Sequence, residues 1–227
     1  MRNINRSIAL LGLALISVQA QAVQFDFLSN AGTLTQGYGN TYTAELEGLR
    51  VTASAWSITA GNAFAAGELN LTADGMGAYG QDENRNASNA DVLGNRTAKG
   101  VDTSDLILFS FSNKVNLQSL STYQVGKDSD LSLWAGSGTF SPESMTAILY
   151  ENANSVGGIR IVGLNTFNDT YDWLAVAARI GQKDDFVRLQ SLMVTPVAQP
   201  VPDAATWMTM LAGLGFVGFA VKRRTRA

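Results

Sequence analysis

The residues best suited to chemistry in this chain are Asp128-Ser129-Asp130. Two carboxylates at positions i and i+2 fall on one face of an extended segment, and hard carboxylate oxygens suit Ca²⁺. Asp102 and Asp105 would add ligands from a neighbouring loop. The plain alternative is a solvated turn leading into a strand, since Lys127-Asp128-Ser129-Asp130 has ordinary turn composition. Neither EF-hand spacing nor a nonapeptide calcium repeat accompanies it. Asp184-Asp185 and the pair Asp169 and Asp172 are less specific. Paired carboxylates run glycoside hydrolysis only at a defined separation, which nothing in the spacing sets.

What is missing bounds the chemistry further. The chain has no His and no Cys. Zinc, copper, haem and iron–sulfur sites therefore lose their usual ligands. Ser-His-Asp and Cys-His nucleophilic catalysis are excluded as well. No enzymatic activity is expected, and no cofactor apart from the calcium candidates. There is no disulfide framework and no lipidated Cys, so the core must hold without covalent staples. The formal net charge is −3, but it is unevenly spread. Residues 23–202 hold ten basic and eighteen acidic side chains, a balance of 10 − 18, or −8. So acidic a body excludes nucleic acid as the expected partner and suits a domain facing water. Asn70, Asn86, Asn95 and Asn168 each open a glycosylation sequon. Asn-rich turns produce such matches by chance.

Both ends of the chain read as addresses. Arg2 and Arg6 precede an apolar run from Ile8 to Val18, and Ala20-Gln21-Ala22 has the small-x-small form of a signal cleavage site. Export through the Sec machinery and signal peptidase is expected, with Ala20 and Ala22 read by the peptidase and Val23 as the mature N-terminus. At the other end, Gln199-Pro200-Val201-Pro202 is a stiff linker. An apolar run from Trp207 to Val221 follows, then Lys222-Arg223-Arg224-Thr225-Arg226. Counted from Ala204, the eighteen residues to Val221 span about 27 Å as a helix, enough for a thin bilayer. Trp207 suits the headgroup region, and the cationic stop of Lys222, Arg223, Arg224 and Arg226 holds its end in the cytoplasm. Gly213-Leu214-Gly215-Phe216-Val217-Gly218 has the form G-x-G-x-x-G but no surrounding βαβ unit. Its glycines instead permit close packing against another membrane helix. A simple C-terminal anchor would share the length and the basic stop.

This tail resembles the PEP-CTERM sorting signal of Gram-negative bacterial exoproteins. That signal runs Val-Pro-Glu-Pro, a short helix rich in Gly and Leu, then an arginine cluster. Here the motif is Val201, Pro202, Asp203 and Ala204, with Asp for the usual Glu and Ala for the second Pro. The resemblance implies recognition by an exosortase and a passing stay in the inner membrane with the body periplasmic. Release or attachment at the cell surface follows. Three shorter pieces, Val101 to Phe109, Gly126 to Trp134 and Tyr171 to Val176, resemble a group of exosortase-dependent surface proteins. That likeness implies location and β architecture, and no enzymatic activity.

The elements that must position these residues read as all-β. The expected organisation is a signal peptide at 1–22, an exodomain at 23–196, a linker with the sorting motif at 197–203, and a membrane helix with basic stop at 204–227. Short runs of β-branched and aromatic residues, punctuated by Gly, Asn and Asp, predict an antiparallel β-sandwich of the jelly-roll kind. Strands are expected at 24–28, 41–46, 50–57, 106–111, 131–134, 159–164, 173–178 and 186–194, with a further stretch through Val115, Leu117 and Leu120. Glu47-Gly48-Leu49 turns a hairpin. Residues 60–100 read as a long loop with short strands near 68–72 and 76–79. Ser141 and Pro142 open one helix, with Met145, Ile148 and Leu149 as its apolar stripe. Trp56, Trp134 and Trp173 each fall in a predicted strand, as core anchors rather than sugar platforms. The functional expectation is a non-enzymatic surface or extracellular-matrix protein associated with exopolysaccharide and biofilm. The alternative is a carbohydrate-binding module using loop aromatics, with or without calcium.

Overall fold

The computed structural model describes residues 20–28, 32–58, 64–80, 92–98, 101–125, 130–142, 145, 150–151, 158–179 and 185–198. The strands are β1 (Val23–Asp26), β2 (Thr33–Leu34), β3 (Thr41–Leu46), β4 (Leu49–Ile58), β5 (Phe64–Ala66), β6 (Glu68–Thr72) and β7 (Gly75–Tyr79). They continue as β8 (Leu93–Ala98), β9 (Val101–Gln124), β10 (Leu131–Gly136), β11 (Tyr150–Glu151), β12 (Ile159–Gly163), β13 (Tyr171–Ala178) and β14 (Phe186–Pro196). All belong to one hydrogen-bonded antiparallel sheet that curls on itself. The compact unit that contains them ends at Val197, and a second unit, 198–227, falls almost wholly outside the described residues.

β9 organises the curl. Its first half pairs with β4 on one side and β13 on the other, and its second half pairs with β14 and β12. Between the halves, Tyr171 opposes Val115 while Trp173 opposes Ser110. The strand thus advances five residues against two on β13, and such an irregularity bends a strand and sharpens its twist. Sequence alone splits this stretch in two, because the bulge interrupts its apolar alternation. The main core lies inside the curl. It takes Phe27, Tyr42, Val51, Phe109, Leu120, Val176 and Leu192 from strands on both sides of the bend and from the end of β1. Phe27 stacks on Phe109 at 5.1 Å and meets Tyr42 edge-on at 5.8 Å.

The predicted hairpin is present, with β3 and β4 in register from Leu46–Leu49 to Thr41–Ser54. Its two turn residues both have positive φ, 50° at Glu47 and 76° at Gly48. That is the geometry of a type I′ turn, whose twist matches the strands it joins. β7 shows a second local requirement. Gly75 has φ 130°, and a Cβ there would meet the Leu189 carbonyl oxygen at 2.6 Å. Only glycine lets β7 approach β14 this closely.

Two expectations need correction. The described residues of the 60–100 region form four strands, β5 to β8, rather than a loop with one or two. Their Gly, Asn and Ala content conceals them: β5 pairs with the preceding β4, β6 and β7 pair with each other, and β8 pairs with β9 and β14. Ser141 and Pro142 open a turn, with the Met145 amide donating to the Pro142 carbonyl at 3.2 Å. Ile148 and Leu149 lie outside the described residues, and the expected end of that helix is instead β11, paired with β10. Residues 1–19 of the expected signal peptide and all of the expected tail helix also lie outside the described residues. Among the described residues, no helix is long and apolar enough to cross a membrane.

Candidate functional site

The sheet segment formed by β4, β9, β13 and β10 is covered on both faces. Side chains alternate along each strand, so one face joins the main core. The other carries a second cluster of Leu106, Leu108, Trp134, Trp173, Ala175 and Ala177, with Trp56, Phe64, Phe140 and Met145 packed against it. Burial on both faces explains why Leu106 to Phe109 and Leu174 to Ala178 read as continuous apolar runs rather than alternating ones. Cross-strand register assembles the aromatic residues. Trp173 lies opposite both Ser110 and Gly136, and Trp134 lies opposite Ala175.

A cleft of about 550 Å³ opens beside this cluster. Trp56, Leu108, Phe111, Phe140 and Trp173 provide its apolar wall, and Ser110, Thr139 and Asp172 its polar one. Phe140 meets Trp173 edge-on at 5.2 Å and lies 6.4 Å from Trp56. The indole of Trp173 crosses directly over Gly136, where any Cβ would collide with its ring. Trp173 is 2% exposed, and its buried Nε1 meets no acceptor among the described residues. A buried donor without an acceptor costs about 1–3 kcal/mol. Trp56, by contrast, is half-buried, and its Nε1 donates to Ser54 Oγ at 3.1 Å.

Asp172 anchors the segment that carries Phe140. The Gly138 amide donates to Asp172 Oδ2 at 2.6 Å, and Lys114 Nζ lies 3.2 Å from the same oxygen. Lys114 also donates to Ser137 Oγ at 2.9 Å, and Ser137 Oγ donates to the Thr170 carbonyl at 3.0 Å. The Gly138 hydrogen bond is the main reason the Asp172 carboxyl sits below its ordinary value. Burial pushes the other way, and Lys114 adds to the lowering. Asp172 is therefore a fixed carboxylate, with both of these contacts made through Oδ2.

The other candidate carboxylates do not meet here. Asp105 is buried and accepts from Ser57 Oγ at 3.1 Å. Asp130 is buried with Arg179 Nη1 3.6 Å from its Oδ2, and its amide donates to Asp185 Oδ1 at 3.2 Å. Ala177 opposes Leu106 and Ala178 opposes Leu131, so Asp105 shares the face of Leu131. Asp130, one residue earlier, falls on the opposite face. The proposed ligand set is thus split across the sheet. Asp128, Asp184 and the side chain of Asp102 lie outside the described residues, while Asp169 is exposed. No group of three or more acidic side chains that could hold a metal ion occurs among the described residues.

Ala20 and Ala22 are exposed, and the buried Val23 immediately after them opens β1 and pairs with Val194. Val201, Pro202, Asp203, Ala204, Lys222, Arg223, Arg224 and Arg226 lie outside the described residues. Of the three strand tryptophans, Trp134 and Trp173 are buried anchors, while Trp56 walls the cleft. Phe140, Ser110, Thr139 and Lys114 were not apparent as site residues. The one sequence signal for Phe140 is an aromatic directly after the glycine-rich turn Gly136-Ser137-Gly138-Thr139. Comparison with known protein families and with curated proteins finds no match to this chain.

Proposed function

We propose that this chain is an exported, non-enzymatic surface or extracellular-matrix protein, sorted by an exosortase and associated with exopolysaccharide and biofilm. The observation that carries the reading is the order of the tail: Val201-Pro202-Asp203-Ala204, the apolar run from Trp207 to Val221, then the cationic cluster ending at Arg226. The start of β1 at Val23, just after Ala20-Gln21-Ala22, supports export with signal-peptidase cleavage at that point. The body is first periplasmic, tethered by the tail, and then displayed or released. The curled antiparallel sheet supports a jelly-roll form of sandwich for that body. Among the described residues its cleft includes one carboxylate, Asp172, where hydrolysis of a glycosidic bond requires two.

Mass spectrometry of the secreted protein tests the sorting. The expected product begins at Val23 and lacks Trp207 to Arg226. Recovery of surface protein with that segment intact would leave a simple anchor in its place. We propose no resident cofactor. Thermal unfolding with and without a chelator should show the same midpoint, and a lower midpoint with chelator would restore Asp128 and Asp130 as calcium ligands. The aromatic cleft favours the second reading, a carbohydrate-binding module, as the body's own activity.

A further inference from the structure

We propose that the cleft binds a sugar unit of a neutral polysaccharide, stacked against Trp56 and Phe140 and hydrogen-bonded to Asp172 and Ser110. This rests on the exopolysaccharide association above and assigns it a place on the molecule. Three observations converge. A volume of about 550 Å³ is adequate for a hexose unit and lies within the range of small-molecule sites, roughly 300–1,000 Å³. One wall is aromatic and the other carries hydroxyls and a carboxylate, and only a ligand that is apolar on one face and hydroxylated at its edge satisfies both. Asp172 Oδ1 makes no hydrogen bond to the described residues, so it can accept from a sugar hydroxyl while Oδ2 stays on Gly138 and Lys114.

Charge selects among sugars. The Asp172 carboxylate in the wall is paired with Lys114, so the charge that selects is that of the body, −8 over residues 23–202, from ten basic and eighteen acidic side chains. Uronic acids and sulfated glycans would be repelled. A purely apolar occupant would strand Asp172, Ser110 and Thr139 away from water.

The test is native gel electrophoresis of the full chain in mild detergent. Gels contain an α-glucan, a β-glucan, a galactomannan or, as the anionic comparison, alginate. Retardation by at least one neutral polysaccharide and not by alginate is expected. Trp56→Ala and Ser110→Ala should each weaken it about ten-fold, since stacking and hydroxyl contacts are both lost. Both positions are accessible in the fold, and circular dichroism of each variant checks that it remains folded. Ile161→Ser, on the exposed β12, should leave retardation unchanged. No retardation by any neutral polysaccharide overturns the assignment. So does unchanged retardation in Trp56→Ala, or a loss caused by Ile161→Ser instead. These outcomes are independent of the mass of the secreted form, so the cleft and the sorting signal can fail separately.

Discussion

At the residue scale, the molecule turns on side chains whose neighbours come from elsewhere in the chain. Trp173 needs Gly136 beneath it, on a different strand. Gly136→Ala should therefore destabilise the protein by about 1–3 kcal/mol, the usual cost of overpacking, read as a lower urea midpoint. Ser57 donates to the buried Asp105, and Ser57→Ala should cost about 1–2 kcal/mol in the same assay. Asp172 makes a pH prediction. Its carboxyl is held low in the fold, chiefly by the Gly138 amide. The stability it contributes is present above the ordinary carboxylate range, about pH 4, and is lost as pH falls through the lowered folded value. The melting-temperature advantage of wild type over Asp172→Asn should hold at pH 6 and shrink on acidification below about pH 4. An advantage that persisted undiminished at pH 2 would show that the carboxylate is not what holds the Gly138 turn.

At the element scale, local rules account for the pieces that form from near neighbours. The β3–β4 hairpin is such a case, since Glu47-Gly48 places glycine where φ must be positive. Glu47 bears the strain of the other left-handed position, so Glu47→Asn should stabilise by about 0.5–1 kcal/mol in chemical denaturation. Local rules fail where an element is too short or too weakly patterned to be read before it is paired. β2 and β11 have two residues each, and β5 has three. No periodicity can show in so short a run. β8 is long enough but weakly patterned: its sequence Leu-Gly-Asn-Arg-Thr-Ala has little strand character, yet it pairs with the adjacent β9 and with β14. The continuous β9 is the opposite error, in which a real bulge resembles a chain break. The cleft was legible only in part. Trp56 and Trp173 were visible as strand aromatics, but which of them would face open space depended on register with β9 and β13.

At the scale of the whole molecule, charge distribution makes the remaining prediction. The full chain has an isoelectric point near 4.9. Removing the two ends takes away six of the sixteen basic residues and one of the nineteen acidic ones. The processed protein should therefore focus at a lower pH than the full chain, and coincidence of the two bands would mean that the tail is retained. What the sequence determined by itself is what depends on composition and contiguous pattern. It excluded His- and Cys-based chemistry, set the acidic balance of the body, supplied the two terminal patterns on which the sorting proposal rests and identified the β class. Each is a property of adjacent residues or of a sum, and needs no partner to be read. Tertiary structure alone decided that the strands form one curled sheet. It also put Asp105 and Asp130 on opposite faces and gathered Trp56, Phe140, Asp172 and Trp173 around one cleft. Those outcomes follow from strand register, in which a shift of one residue reverses the face of every side chain. Register is set by pairing between segments far apart in the chain, and that information does not reside in any one of them.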